Sequence, residues 1–269
     1  VAGRITASNV YSAKPYAIKT MNKSAKECRF SMVNDIHGRD SMLIALTKSV
    51  KNDRPDFMVF NGDMVDFMGS QKELEEKFLK RSSELFATDI PLVYVRGNHE
   101  TRGPGFSEYL NLFPSTTNAP YFMFRQGPAA FIVLDSGEDK PDNDIEYYDL
   151  VRFDNYRKQE AEWLNEVVNS PECKNARARV VIIHIPPSSS GWHGEAEIAR
   201  LFIPILNRAN IDLMLCGHIH EYRFSEAGDA ICGSNFPIVC NPNRARMDVE
   251  VGIDKIAYKI TNANAEEIT

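Results

Sequence analysis

The sequence lacks the features that mark membrane-spanning and nucleic-acid-binding proteins. No apolar run is long enough to span a bilayer. The 31 basic and 37 acidic residues give a net charge of −6, so we expect no membrane span and no binding of long nucleic acids. Val1-Ala2-Gly3-Arg4 lacks the basic and then apolar pattern of a signal peptide. Export remains an alternative: the protein would then be periplasmic or extracellular, and its signal segment would be absent from this chain.

Cysteine is also scarce. The five cysteines are an odd number, and their spacing fits no metal motif. Cys28 and Cys216 lie in apolar runs that are typical of buried thiols. A disulfide between Cys232 and Cys240 remains open. The cysteines alone therefore predict no metal site.

What the sequence does contain is an alternation of strand and helix patterns. Strands are predicted at residues 28–33, 57–60 and 91–95, with helices at 41–50 and 72–86 between them. This β-α-β-α-β order predicts an α/β domain with parallel strands. We interpret residues 28–269 as one catalytic domain and residues 1–27 as an N-terminal segment or linker.

The second half continues the pattern around one unusual segment. Residues 136–152 form a polar, acidic stretch that is long for a loop in a compact domain, and long loops are often functional. The other predicted elements are strands at 121–124, 129–134, 179–185 and 211–216, helices at 158–168 and 195–207 with a kink at Pro204, and short strands after Tyr222, clearest at 249–260.

Polar side chains follow each of the five predicted core strands. The segments are Asn34 to Gly38, Asn61 to Asp66, Arg96 to Glu100, His184, and Gly217 to His220. Five of the six histidines fall in these segments. Ligands of open α/β sheets bind just beyond the carboxyl ends of the strands. The sequence therefore predicts a site at these strand ends.

The residue types at the strand ends indicate metal ions. Aspartate, histidine and asparagine supply oxygen and imidazole nitrogen ligands, which suit Zn, Mn or Fe. The seven candidate ligands are Asp35, His37, Asp63, Asn98, His184, His218 and His220. Seven ligands exceed what one tetrahedral ion uses. Two ions that share one carboxylate fit this set better.

Each of these residues has an ordinary structural interpretation when it is taken alone. Gly62-Asp63 is typical of a turn, His184 of a structural histidine, and His218 with His220 of a surface pair. Their common position after core strands favours the metal site over five separate explanations.

The motifs D-x-H, G-D-x-x-D, G-N-H-E, a lone histidine after a strand, and G-H-x-H occur in this order between Arg29 and Arg223. In this respect the sequence resembles the calcineurin-like metallophosphoesterases. The resemblance implies an α/β fold: a four-layer αββα sandwich of two mixed β-sheets flanked by helices, with a two-metal site at the strand ends.

The resemblance also implies a role for each residue. Asp35, His37 and His220 would hold one ion, Asn98, His184 and His218 the other, and Asp63 would bridge them. In the family, a hydroxide that bridges the two ions attacks phosphorus. A further implication concerns two catalytic residues: His99 matches the acid that protonates the leaving oxygen, and Asp66 matches the aspartate that orients it.

Four further residues are considered for roles at or near the site. Arg102 could bind a phosphate oxygen, or it is a solvated loop residue. His193 lies in the loop 188–194 and either contacts substrate as part of a flap or belongs to an ordinary surface loop. Arg96 and Glu100 are expected to fix their loop through ion pairs.

The sequence also departs from two branches of the family. Protein Ser/Thr phosphatases have arginine where this chain has Phe67, and purple acid phosphatases have a tyrosine ligand where it has Asp66. Gly217 to Tyr222 nevertheless resembles the purple acid phosphatase branch. The chain is therefore placed between the two branches, with a non-purple metal centre.

The resulting prediction is a metal-dependent phosphohydrolase, and specifically a phosphomonoesterase. Its substrate would be a phosphorylated small molecule or protein. The alternatives are a phosphodiesterase or nuclease, and a non-catalytic binding protein on the same fold. A binding protein would be expected to have lost a ligand or His99, and none is missing. The sequence specifies neither the substrate, nor the metals, nor the oligomeric state.

Overall fold

Five strands form the first β-sheet of the computed structural model, which describes residues 20–269. Across the sheet the order is β11 (Ile256–Asn262), β10 (Ala245–Val251), β1 (Cys28–Val33), β2 (Phe57–Asn61) and β3 (Leu92–Val95). Strands β1, β2 and β3 are parallel, and β10 and β11 continue the sheet in antiparallel pairing. The predicted parallel β-α-β-α-β unit is confirmed.

Six strands form the second sheet, and it is also mixed. Their order is β4 (Phe122–Gln126), β5 (Ala129–Val133), β6 (Ala178–Ile182), β7 (Leu213–Cys216), β9 (Ile238–Cys240) and β8 (Arg223–Ser225). Strands β5, β6, β7 and β9 are parallel, whereas β4 and β8 lie antiparallel at the two edges. Gly127 and Pro128 join β4 to β5 as a hairpin.

The two sheets pack face to face through apolar side chains. Phe30 and Phe57 stack with their ring centroids 5.0 Å apart, and Phe131 of the second sheet meets Phe30 edge-on at 5.3 Å. All three rings are almost completely buried. Burial of aromatic rings on this scale is a large source of stability. The inner layer therefore fixes one sheet relative to the other.

Helices cover the outer faces of both sheets. The α-helices are α1 (Asp40–Thr47), α2 (Val50–Asp53), α3 (Gln71–Leu74), α4 (Lys80–Ser82), α5 (Tyr109–Leu112), α6 (Phe153–Asn169), α7 (Pro171–Lys174), α8 (His193–Leu201) and α9 (Ile203–Leu206). The 3₁₀ turns are His99–Thr101, Phe106–Glu108 and Ile145–Tyr147. A second core joins α6, α8 and α9 to the second sheet, and a third joins α1 to the first. The predicted four-layer αββα sandwich is confirmed.

Several boundaries differ from the sequence prediction. The helix predicted at 72–86 alternates between α-helix and the π-helical segments Glu75–Leu79 and Ser83–Ala87. The helix predicted at 195–207 ends before Pro204, which lies in the first turn of α9 because proline lacks an N–H. Residues 249–260, predicted to contain short strands, lie in an antiparallel hairpin of β10 and β11.

Part of the N-terminal segment 1–27 can be placed. Residues 1–19 lie outside the described residues. The backbone N–H of Asn22 donates to Gln126 Oε1 at 2.6 Å, and its carbonyl accepts from Gly127 at 2.9 Å. This part of the chain therefore packs on the β4–β5 turn. No helix among residues 20–269 is long and apolar enough to cross a bilayer.

Candidate metal centre

Polar segments from both sheets meet where the parallel strands end. In the first sheet, the N–H of Asp35 donates to the Gly62 carbonyl at 3.0 Å. Between the sheets, the N–H of His218 donates to Asp35 Oδ2 at 2.9 Å. In the second sheet, the N–H of Gly217 donates to the His184 carbonyl at 2.9 Å. These bonds bring the predicted segments to one edge of the sandwich.

We call Asp35, His37 and His220 the outer cluster, because His220 is exposed to solvent. Their ligand atoms all lie within 4.8 Å of one another. His220 Nε2 is 3.2 Å from Asp35 Oδ1 and 3.4 Å from His37 Nε2. The His220 side chain is 47% exposed, while the Asp35 side chain is fully buried. One carboxylate and two imidazoles thus converge on one point at the surface.

We call Asp63, His184 and His218 the inner cluster, because Asp63 and His184 are buried and His218 is only partly exposed. Their ligand atoms also lie within 4.8 Å of one another. His184 Nε2 is 3.1 Å from Asp63 Oδ2, and the side chains are 0% and 3% exposed. His184 Nε2 is also 3.7 Å from Asp35 Oδ1. The inner cluster therefore adjoins the outer one.

Asn98 is adjacent to the inner cluster. The backbone N–H of His99, the next residue, donates to Asp63 Oδ1 at 3.0 Å. Asn98 is buried, and its Oδ1 makes no hydrogen bond among the described residues. Asp35 Oδ1 and His184 Nε2 also make no hydrogen bond of good geometry, although they lie 3.2 Å from His220 Nε2 and 3.1 Å from Asp63 Oδ2. Buried polar atoms are nearly always hydrogen-bonded. A cation bound by these three atoms would explain why they lack well-formed hydrogen bonds.

The backbone of the site is strained. Five candidate ligands have positive φ, between 50° and 67°: Asp35, His37, Asp63, His218 and His220. Residues with a side chain rarely adopt this conformation, and it concentrates at functional sites where the surrounding structure holds it in place. Five of the eleven non-glycine residues with positive φ among residues 20–269 are thus candidate ligands.

Gly62 and Gly97 allow the loops of the site to pack closely. Gly62 has φ of +80°, and a Cβ on it would lie 2.7 Å from Gly97 Cα. A Cβ on Gly97 would lie 2.5 Å from the backbone N of Asp63. Neither position has room for a side chain. Gly97 therefore allows the close turn at this point.

The second nitrogens of two histidines are held by acceptors. His184 Nδ1 is 2.7 Å from the Asn61 carbonyl oxygen, and His37 Nδ1 is 3.1 Å from Asp66 Oδ1. Each acceptor requires the proton on Nδ1 and leaves Nε2 toward its cluster. Metal-binding histidines are oriented in this way by carboxylates and backbone carbonyls.

Burial and charge set different protonation states for the two inner histidines. Burial lowers the pKa of His184, but the nearby Asp63 and Asp35 carboxylates outweigh it and raise that pKa to about 10. Burial and the charge on His184 lower the pKa of His218 to about 4. The two carboxylates thus favour a positive charge at this point, either as a proton on His184 or as a bound cation.

Glu100 joins the loops by a route that differs from the expected ion pair. Its buried carboxylate accepts from the backbone N–H groups of Asp63 and Met64 at 2.8 Å and of Gly97 at 2.9 Å. Tyr94 Oη donates to it at 2.6 Å. Burial raises the pKa of Glu100. Arg96 does form the expected kind of contact, an ion pair with buried Asp135.

The contacts of His99 and Asp66 differ from the sequence expectation. His99 Nδ1 lies 2.7 Å from the backbone carbonyl oxygen of Asp66, not from its carboxylate. The Asp66 carboxylate is directed to His37 instead. Asp66 therefore contacts both histidines, through its backbone for His99 and through its side chain for His37. His99 Nε2 faces the site, 3.8 Å from Asp63 Oδ2.

Arg102 is held beside His99 by a buried carboxylate. Its Nε and Nη2 each donate to Glu138 at 2.7 Å, and Nη1 lies 3.3 Å from His99 Nε2. Tyr147 Oη donates to the same carboxylate at 2.9 Å. Arg102 is thus neither freely solvated nor loosely placed, and Nη1 is the part of its guanidinium that faces His99.

His193 contacts α6 rather than the candidate metal ligands. Its Nε2 is 2.7 Å from Asp154 Oδ1, at the junction of α8 and α6. It belongs to neither cluster. The neighbouring Trp192 is 59% exposed.

Cys232 and Cys240, the pair left open as a disulfide, are both free thiols.

Some residues of the site were not found from the sequence. Asn34 Nδ2 donates to Asp35 Oδ2 at 2.6 Å and to the Asn241 carbonyl at 2.8 Å. Asn241 Nδ2 donates back to Asn34 Oδ1 at 2.6 Å. Asn241 follows β9, so the rule of polar residues after core strands could have found it. Glu138 lies in the long segment 136–152, where no spacing distinguished it from other acidic residues.

Comparison with known proteins identifies related sequences. The sequence model of the calcineurin-like phosphoesterase family matches residues 28–222. The serine/threonine-protein phosphatase CPPED1 of Mus musculus is 28% identical over 179 residues, which cover 63% of this chain and 55% of that protein. The Bos taurus protein of the same name is 31% identical over 231 residues, 81% of this chain and 67% of that protein. The chain thus spans about half to two thirds of these relatives.

Solved structures share the fold at low identity. Purple acid phosphatase PPD1 from yellow lupin has a TM-score of 0.64 and 10% identity, covering 94% of this chain and 55% of that chain. A dimetal phosphatase from Danio rerio has a TM-score of 0.57 and 13% identity, covering 90% and 98%. GAP50, titled the anchor in the inner membrane complex of Plasmodium, has a TM-score of 0.64 and 16% identity, covering 90% and 87%. These similarities concern the fold.

Proposed function

Because the chain belongs to the calcineurin-like phosphoesterase family, we propose that it is a metal-dependent phosphoester hydrolase, and specifically a phosphomonoesterase. The observation that carries this proposal is the pair of adjoining clusters, together with three buried ligand atoms that make no hydrogen bond of good geometry. The substrate would be a phosphorylated protein or small molecule. The protein phosphatase names of the sequence relatives favour a phosphorylated protein.

The donor set fits two metal ions. In this proposal the outer cluster of Asp35, His37 and His220 holds one ion. Asn98, His184 and His218 hold the other, and Asp63 is shared between them. The direction of His184 Nε2 toward the Asp63 carboxylate and of His37 Nε2 away from Asp66 support these assignments. Carboxylate, amide and imidazole donors suit Mn, Fe or Zn.

Paired metal ions, when bound, clamp phosphate oxygens and supply a nucleophile at neutral pH. The residues of the chain provide the rest. The Asp66 carbonyl accepts from His99 Nδ1–H and so directs Nε2 toward the leaving oxygen, and in this proposal the doubly protonated ring donates its Nε2 proton to that oxygen. Arg102, fixed by Glu138, directs Nη1 toward the same space and can bind a phosphate oxygen there. The proton donor and the anion-binding group thus lie on one turn.

A second candidate function is a binding protein that retained the fold and lost catalysis. The structural neighbour described as an anchor raises this alternative for the fold. The complete ligand set and the placement of His99 favour hydrolysis in this chain. A diesterase is the other alternative within the hydrolases, and substrate preference distinguishes it.

The experiment is a hydrolysis panel. Metal-depleted protein is reconstituted separately with Mn, Fe and Zn, and p-nitrophenyl phosphate and bis(p-nitrophenyl) phosphate are supplied under identical conditions. We expect metal-dependent turnover of both with preference for the monoester. Asp254→Ala, on the β10–β11 turn, is a control carboxylate variant that should behave as the wild type. Full activity after chelation, or inactivity with every metal, would refute the proposal, and a strong diester preference would replace it with the diesterase.

A further inference from the structure

A second cleft opens beside the candidate metal centre, and we call it the side cleft. Its volume is about 460 Å³, within the range of ligand pockets. Thr101 lines it on one side, next to Phe106. Leu150, at the end of the long segment 136–152, and Tyr156 of α6 line the other side. The cleft thus lies between the loop that carries His99 and the segment that sequence analysis singled out.

The wall formed by residues 136–152 is anchored from inside. Buried Glu138 accepts hydrogen bonds from Thr101 and Tyr147 at 2.8 and 2.9 Å, in addition to its ion pair with Arg102. The fully buried Arg157 donates to the Ser136 carbonyl at 2.9 Å and also to the Glu138 carbonyl. This wall therefore has a defined position relative to His99.

Despite this anchoring, the segment exposes large apolar side chains. Ile145, Tyr148 and Leu150 are 85%, 79% and 84% exposed, and Phe106 across the cleft is 51% exposed. Apolar groups that stay exposed on a fixed segment mark contact surfaces. Among the lining residues the charged side chains are Arg96, paired with Asp135, and Arg152, without any acidic residue. The cleft therefore suits an apolar group and does not repel an anionic chain.

The side cleft lies near the candidate metal centre. Thr101 is two residues after His99, so their Cα atoms are at most about 8 Å apart. An extended polypeptide advances about 3.3 Å per residue. A side chain two or three residues from a phosphorylated residue can therefore reach the cleft while the phosphate lies at His99. A small phosphomonoester cannot occupy both places.

We propose that the side cleft binds an apolar side chain located two or three residues from the phosphorylated residue of a polypeptide substrate. This inference rests on the proposed function and assigns its substrate class. Leu150 and Phe106 would contact the apolar side chain. Ile145 is equally exposed on the same segment but does not line the cleft. It therefore provides a matched control.

The test uses pairs of phosphoserine peptides that carry leucine or alanine at each of the positions two and three residues before and after phosphoserine. Both kcat/KM and the affinity of fluorescent peptides are measured, the latter by anisotropy with a non-hydrolysable phosphonate in place of the phosphate. We expect the best leucine peptide to be preferred by about 10- to 100-fold, as burial of one leucine predicts. Leu150→Glu should abolish this preference and Leu150→Ala should reduce it. Ile145→Ala should retain it, and p-nitrophenyl phosphate turnover should be equal in all four proteins.

The outcomes separate the two proposals. Equal kcat/KM and affinity for leucine and alanine peptides in the wild type, or an unchanged preference in Leu150→Glu, would overturn the side-cleft proposal while p-nitrophenyl phosphate turnover still supports the hydrolase. If neither the phosphoserine peptides nor p-nitrophenyl phosphate is hydrolysed with any metal, the hydrolase proposal fails. The anisotropy preference then decides whether the cleft still binds the apolar side chain.

Discussion

The outer and inner clusters use the same kinds of ligand in different surroundings. In the outer cluster, the side chain of His220 is 47% exposed. In the inner cluster, His184 and Asp63 are 0% and 3% exposed. The orienting contacts also differ, because His37 is held by the side chain of an exposed residue, Asp66, and His184 by the backbone of Asn61. One cluster is built into the core, and the other lies on its edge.

This difference indicates that the two proposed metal positions differ in metal affinity and in accessibility. Electrostatic interactions are stronger where water is excluded, so the inner position should hold its ion more firmly. The outer position is open to solvent and to an incoming phosphate. Asp63 belongs to the inner cluster, and its ligand atom also lies within 4.8 Å of that of His37 in the outer cluster. In the proposed assignment it is therefore the residue through which the two positions depend on each other.

Removal of the shared carboxylate should abolish the distinction between the clusters. We expect Asp63→Ala to lower kcat/KM by about 10³-fold or more, because metal ions contribute several kcal/mol to the transition state. It should lose more bound metal than His37→Ala, as measured by elemental analysis. Full metal content in both variants would contradict the bridging assignment. Asp254→Ala serves as the control.

Substitution of His99 should leave both clusters intact and remove only the proton donor. We expect His99→Asn to retain both metal ions and to lose about 10²- to 10⁴-fold in kcat, the usual contribution of a general acid. The loss should be larger for an alkyl phosphate than for p-nitrophenyl phosphate, because nitrophenolate leaves without protonation.

The matched measurement is kcat for both leaving-group classes in the wild type and in His99→Asn, with metal content determined in each sample. An equal fall for both classes, with metals retained and chemistry rate-limiting, would reject the general-acid role. His99 would then act as a phosphate-binding or structural residue.

A change at Asp66 should affect the outer cluster alone. Asp66→Asn weakens the partner of His37 Nδ1 but retains the backbone carbonyl that accepts from His99. We expect metal affinity at the outer position to fall by about 10- to 100-fold, the usual cost of losing such a partner, while the inner ion stays bound. The metal affinities of the two positions are measured by calorimetric titration. Equal weakening of both positions would show that the clusters are not separable in this way.

The smallest effect is expected at His193, outside both clusters. Its contact with Asp154 is partly exposed, with side chains 31% and 33% accessible. We expect His193→Ala to change kcat/KM by less than about threefold and to lower the free energy of unfolding by at most about 1 kcal/mol. Urea denaturation and steady-state kinetics measure the two quantities. A tenfold rise in KM would instead support the substrate contact considered from the sequence.

Sequence patterns were sufficient for the residues whose position follows from strand ends. Asp35, Asp63 and His184 follow buried parallel strands, and parallel strands bring their carboxyl ends together. The π-helical segments within residues 71–87 were not predicted, because helical periodicity does not distinguish an α-turn from a widened turn.

The contacts between side chains were harder to predict. Asp66 was assigned to His99 by resemblance, but its side chain and its carbonyl serve different histidines. That division depends on backbone direction within one loop, which spacing does not encode. Glu138 and Asn241 contact residues far away in the sequence. Partners of this kind follow from tertiary packing.

The most direct test of unequal metal positions is the kinetics of metal release. Protein reconstituted with two Zn²⁺ ions is mixed with excess chromogenic chelator, and release is followed over time in the wild type and in His220→Ala. The account predicts two ions per wild-type chain, released in a fast phase from the outer cluster and a slow phase from the inner one, with the fast-releasing ion missing in His220→Ala. One ion per chain, or two ions released in a single phase that His220→Ala leaves unchanged, would contradict it.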